Sequence, residues 1–300
     1  MIEQLKDFWN FTVAVMERMD KIHMGLIAAG VAFYAMFAIF PGLAAIIALW
    51  GLWFDPTLIQ EYYRVLDEFA PHQASEILHT QIDAMTSTGR TQLGWTSFIS
   101  FMVATISARA GVNALVRGLN AAHGVRSHAT IFGWFLAYGL TLAIMATTFI
   151  GLAMIIVVPI ALNFIDLGPL QGWLTGNVPW VAMFAIVVTG IGIIYRYGPN
   201  VETPRTPLFT WGAVFAALAW GAASLAFSAY LAQFNSYNRI YGSIGAVIAL
   251  LMWFYLAGFS VMLGAVLNVE IARRRRLSAA RRARELARSM ATARTTAPKG

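Results

Sequence analysis

Cysteine is absent from all 300 residues, which excludes a disulfide scaffold, a thiolate metal site and a cysteine nucleophile together. Charge is scarce as well. Asp, Glu, Lys and Arg make up 12% of the chain, about half of the roughly 25% that clothes a soluble fold. A water-soluble enzyme is therefore not the expectation, and with 59% hydrophobic residues neither is a disordered chain. No Gly-x-x-x-x-Gly-Lys phosphate loop occurs, and no His-x-His-x-Asp cluster. Nucleotide hydrolysis and metal-assisted cleavage of RNA thus lack their usual residues. We expect no enzyme activity, no cofactor and no resident metal.

What the chain has instead is long uncharged stretches. A helix needs about 20 apolar residues to cross a hydrocarbon core of roughly 30 Å. Six segments qualify: 25–54, 94–119, 131–162, 179–198, 208–233 and 242–270. The predicted fold is an all-α membrane protein with six transmembrane helices. The second span is the weak one, because only about 15 good residues precede Arg109, a rise of about 22 Å. It crosses only by carrying Arg109 at membrane depth, and a re-entrant hairpin is the alternative. Pro179 is expected at the first helical position of the fourth span. Pro41, midway along the first, removes a backbone hydrogen bond amid small residues; static close packing is the first reading of this site and a hinge the second.

The remaining segments have distinct characters. Residues 1–24 carry seven charges, with Leu5, Phe8, Trp9, Thr12, Met16 and Met19 near helical spacing on the opposite face. This predicts an amphipathic N-terminal helix, lying on the cytoplasmic interface or packed under the bundle as an ordinary helix, and no cleavable signal peptide is expected. Segment 55–92 holds six of the 14 acidic residues and is predicted to form a helical periplasmic cap divided at Pro71. Within it His72, Glu76, His79 and Asp83 follow helical spacing. A solvated acidic face is the expected reading, with a divalent-cation site the alternative. Segment 272–300 carries ten of the 21 basic residues. Such a tail attracts anionic lipids at about 1 kcal/mol per charge, and no specific nucleic acid is expected. With the N-terminus inside, 18 basic residues fall on the cytoplasmic side and three outside. The positive-inside rule then predicts a multi-pass inner-membrane protein with both termini cytoplasmic.

Polar residues near span ends supply the candidate sites. Arg109, Asn113 and Arg117 are spaced i, i+4, i+8 and share one helix face. A basic pocket for an anionic solute or lipid headgroup is one reading, and a snorkelling helix end is the other. Asn268 and Glu270 close the last span just before Arg273–Arg276 and join these three as candidate solute- or lipid-binding residues. Glu270 has two candidate partners, those tail arginines and Arg109.

Several blocks coincide with a family pattern: Ala29-Gly30-Val31-Ala32-Phe33-Tyr34 with Phe40-Pro41, the turn Tyr197-Gly198-Pro199-Asn200, and Tyr241-Gly242-Ser243-Ile244-Gly245-Ala246 running to Leu263-Gly264-Ala265-Val266-Leu267-Asn268-Val269-Glu270. The chain resembles the YihY/BrkB family of bacterial inner-membrane proteins over roughly residues 10 to 275, some members of which were formerly labelled ribonuclease BN. The resemblance implies six spans, cytoplasmic ends and a transport role with no substrate named. Val266 stands where the family often has glutamate. The expected function is transport of an anionic or amphiphilic solute or lipid, without ATP hydrolysis of its own. A nontransporting envelope scaffold or lipid-organising protein is the alternative, and ribonuclease activity is not expected.

Overall fold

The computed structural model describes residues 2–53, 90–125, 135–147, 150, 151, 154, 170–201, 206–233 and 238–296. Every regular element among them is a helix: α1 (Ile2–Lys21), α2 (Met24–Trp53), α3 (Arg90–His123), α4 (Phe135–Thr147), α5 (Gln171–Tyr197), α6 (Trp211–Gln233) and α7 (Asn238–Thr296). The protein is an all-α membrane protein. Among the described residues α2, α3, α5, α6 and α7 are long and apolar enough to cross a bilayer, and α4 is a shorter apolar helix within the predicted third span. Apart from residues 150, 151 and 154, the rest of that span lies outside the described residues, as does the acidic segment through residue 89 with its His72, Glu76, His79 and Asp83 pattern. Large apolar side chains point outward, among them Phe98, Leu142, Trp180 and Leu225. A soluble bundle hides such residues, whereas a bilayer solvates them.

Two compact units divide the chain, Gly30–Val112 and the combination of Met1–Ala29 with Asn113–Gly300. In the first, α2 and α3 run antiparallel and touch through their smallest residues. A Cβ built on Gly111 would lie 3.4 Å from that of Tyr34, and one on Gly42 would lie 3.9 Å from that of Ala104. Pro41 sits beside this contact, inside a helix that continues on both sides. α3 is likewise continuous through Arg109, without the break a re-entrant hairpin requires.

In the second unit α6 and α7 form an antiparallel pair. Their backbones meet at Gly212 and Gly264, where a Cβ on either glycine would collide with the carbonyl oxygen of the other. Apolar burial gives helices little reason to associate in lipid, so close packing of small residues carries the contact. Ala213, Ala216 and Ala265 continue the seam, and Met24, Leu119, Met262 and Val266 are the largest fully buried side chains. Val266, at the position where the resemblance leads one to expect glutamate, is thus part of the apolar core. Farther along, the Trp220 and Trp253 rings lie 6.0 Å apart, and Trp253 Nε1 donates to Ser224 Oγ at 3.1 Å. α5 packs on α6, and the Tyr195 hydroxyl donates to the Val261 carbonyl of α7.

Three element boundaries differ from the sequence expectation. α5 begins at Gln171, so Pro179 lies inside the helix rather than at its first position. Losing one backbone bond at a proline costs less than leaving residues 171–178 without a ladder in an apolar setting. α3 starts at Arg90, four residues before the predicted span. Largest of all, α7 does not stop at the end of its apolar run but continues into the basic tail as far as Thr296, 59 residues in all. Alanine, arginine and leucine are strong helix formers, and a span already folded removes the cost of nucleation.

The α6–α7 contact yields a direct test. Gly264→Ala places a methyl against backbone and is expected to cost about 1–3 kcal/mol or more. Gly221→Ala, on α6 with nothing within 4 Å of the new methyl, is expected to leave stability unchanged or raise it slightly. Thermal unfolding of both variants in one detergent measures the difference, and equal behaviour would show that Gly264 has room to relax.

Candidate functional site

Glu270 is the organising group at the end of the apolar part of α7. It is 2% exposed, and a carboxylate so buried needs neutralising partners. Of the two partners the sequence offers, the tail arginines are found on it. Arg273 Nη1 lies 3.3 Å from Oε2 and Arg274 Nε lies 3.6 Å from Oε1. These are i+3 and i+4 neighbours on the same helix, so helical geometry alone brings them round. A third cation comes from the far end of the chain: Arg18 of α1 places Nη2 3.6 Å from Oε2.

Arg18 also donates Nη1 to the carbonyl of Ala122 at 2.9 Å. That carbonyl belongs to the last turn of α3, where helix acceptors have no intrahelical partner. One guanidinium therefore joins α1, the C-terminus of α3 and α7. Arg274 ties α1 down a second time, donating Nη1 to the Asp7 carbonyl at 3.2 Å and lying over the Phe11 ring at 4.8 Å. The opposite face of α1 stays uncovered, with Leu5, Phe8 and Trp9 about 70% exposed. This is the amphipathic helix the N-terminal pattern predicts.

Asn268 has both ends of its amide engaged. Its Oδ1 accepts from the Gly212 N–H at 2.9 Å, and its Nδ2 donates to Thr210 Oγ1 at 2.8 Å. Thr210 is the N-cap of α6, accepting from the Ala213 N–H at 3.1 Å. Two orphan donors of the first turn of α6 are thus satisfied. Asn120, 2% exposed, acts similarly: its Oδ1 accepts from the Asn200 N–H at 2.7 Å and fixes the Gly198-Pro199-Asn200 turn after α5. α3 itself closes at Gly124, whose φ of 70° suits glycine, with Val125 N–H on the Asn120 carbonyl at 2.9 Å.

α3 carries Arg109, Asn113 and Arg117 on successive turns, the first two half-buried and Arg117 exposed. An open groove of about 440 Å³ lies beside α1 and the start of α2 and is lined by Met16, Met19, Asp20, His23, Met24, Gly25, Leu26 and Phe259. Among the described residues no three His, Asp or Glu side chains gather as a metal ion requires. Sequence reasoning missed Arg18, Thr210 and the Asn120–Asn200 bond as parts of this region. Their partners lie 58 to 252 positions away in the chain, and no local pattern announces them.

Five apolar spanning helices, polar clamps at their ends and an amphipathic helix docked on the last of them define a polytopic α-helical membrane protein. The chain belongs to the family described as Virulence factor BrkB, whose model matches residues 15–290. Among curated relatives, a Bacillus subtilis protein whose name calls it ribonuclease-like, YfkH, is 28% identical over 255 residues, covering 83% of this chain and 90% of that protein. The UPF0761 membrane protein IL2447 of Idiomarina loihiensis is 32% identical over 102 residues, 34% of each chain. A UPF0761 membrane protein of Verminephrobacter eiseniae is 35% identical over 86 residues, 28% of this chain and 20% of its own. No solved structure matches.

The Glu270 cluster predicts coupled stability effects. Glu270→Gln is expected to cost about 3 kcal/mol, because it leaves arginines without their counter-charge. Arg18→Met should cost less, since Arg273 and Arg274 remain on Glu270. The double variant should deviate from additivity by about 1 kcal/mol, measured by unfolding in detergent. Additive effects would mean that Arg18 acts through the Ala122 carbonyl alone.

Proposed function

We propose that this protein is a bacterial inner-membrane transporter, with both termini cytoplasmic, that moves an anionic or amphiphilic solute or lipid without hydrolysing ATP itself. One observation carries the reading. Arg109 stands near the middle of the apolar stretch Phe98–His123 of an unbroken helix. An ionisable group at that depth is costly and faces a cavity or pathway as a rule. Asn113 and Arg117 extend the same polar line toward the helix end, and this line is the binding surface for the solute. Pro41 is its hinge, because the missing backbone bond lowers the cost of bending α2. The 18-to-3 distribution of basic residues supports the orientation.

In this reading the chain is not an enzyme, and the ribonuclease-like name stays with the B. subtilis relative. Purified protein in liposomes is expected to carry an anionic amphiphile across the bilayer, and Arg109→Ala to lower the rate at least about ten-fold. Because the chain has no cysteine of its own, Asn113→Cys gives a clean labelling site, expected to react with a charged thiol reagent and to be protected by the transported anion. Absence of flux for every anionic amphiphile tried would favour a scaffold, and metal-dependent RNA cleavage by homogeneous protein would restore the nuclease reading.

A further inference from the structure

The charge around Glu270 does not balance. Three guanidinium groups, those of Arg18, Arg273 and Arg274, meet one carboxylate. Each guanidinium carries five donors, whereas a carboxylate accepts about four hydrogen bonds. Arg18 has Nη1 on Ala122 and Nη2 on Glu270, and its Nε is buried without a hydrogen-bond partner. Arg273 uses Nη1 on Glu270 while its side chain stays 55% exposed. The corner is thus a cationic ring around one internal counter-ion, with donors to spare on its open side.

The contacts of α1 set the depth of this ring. Between Asp7 and Arg18, α1 advances 11 residues, about 16 Å, while its partners Arg274 and Glu270 on α7 are only four residues, about 6 Å, apart. α1 is thus tied to α7 at two points. The apolar run of α7 ends at Glu270 with Arg273–Arg276 next, and Leu5, Phe8 and Trp9 of α1 stay uncovered, a pattern that suits the interface of a bilayer crossed by α7. The ring is then held at the level of the lipid headgroups, and the anion most abundant at that level is a phosphate.

We propose that Arg18, Arg273 and Arg274, spaced by Glu270, form a phosphate-binding site that takes the headgroup of an anionic phospholipid. Glu270 is a positioning residue here. It holds the guanidinium planes apart and aligned so that their remaining donors converge on phosphate oxygens, a geometry arginine matches in a way lysine does not. Arg273, the most exposed of the three, makes the main contact with the phosphate. The site goes beyond the transport reading and stands whether or not the protein moves a solute.

The full chain, purified in detergent, tests this by thermal shift and by the lipid retained in native mass spectrometry. Phosphatidylglycerol is expected to raise the unfolding temperature and remain bound, phosphatidylcholine to do neither, and Arg273→Gln to weaken phosphatidylglycerol binding about ten-fold. That variant leaves the Arg18–Glu270 pair in place, so the fold is retained. Arg281→Gln, farther along the exposed tail, should bind as the parent does. A shift with the lipid and none with inorganic phosphate supports a bilayer source, and a shift with inorganic phosphate alone supports the same chemistry with a soluble source. Unchanged binding by Arg273→Gln, or an equal loss in Arg281→Gln, would overturn the site, because diffuse tail charge would then suffice.

Discussion

A carboxylate buried at the end of a membrane-spanning helix must be neutralised, and the arrangement of half this molecule follows from how that is done. Two of the cations on Glu270 are local, delivered by the turn of α7 itself. The third, Arg18, is not, and bringing it in fixes where α1 goes. Once α1 is placed, Arg274 and the Ala122 carbonyl hold one side of it, and Leu5, Phe8 and Trp9 on another side stay uncovered. The docking of this helix is thus a consequence of an electrostatic requirement as much as of its own amphipathic pattern.

A second constraint governs the interior. Helices in lipid gain little by hiding apolar surface from one another, so contact depends on how closely their backbones approach. Gly212 and Gly264 bring α6 and α7 together, and Gly118 does the same for α3, where a Cβ would meet Ile27 and Met262. Polar clamps then lock the register. Asn268 caps α6 from α7, and Asn120 pins the turn after α5 from α3. Each clamp uses a short, rigid amide in place of a flexible charged side chain, so the register is set at small entropic cost.

Much of this was legible in the sequence, for a simple physical reason: hydrophobic length is a one-dimensional signal. The run 25–54 became α2, Met24–Trp53, and the run 208–233 became Trp211–Gln233 with Thr210 as its cap. The amphipathic N-terminus was equally plain, because its period is local. Pro179 misled, since a proline that opens a soluble helix also sits inside an apolar one. The helical tail is masked by its charge: ten basic residues are the strongest compositional signal there, while the Ala, Arg and Leu content is what makes the segment helical. The polar clamps and Arg18 were illegible because they pair distant segments, and nothing in a single chain's composition says which asparagine meets which helix end.

The unbroken course of α7 has a mechanical consequence. Some 26 residues of helix lie beyond Glu270, an arm about 39 Å long. A tilt of ten degrees in the spanning part displaces the far end by about 7 Å, and a push on that end returns to the span with the same leverage. Between the two stands the Arg18–Glu270–Arg274 clasp, which acts as the fulcrum. Any force applied to the tail from outside the membrane is therefore delivered, through one covalent rod, to the glycine contact with α6 and the tyrosine bond with α5.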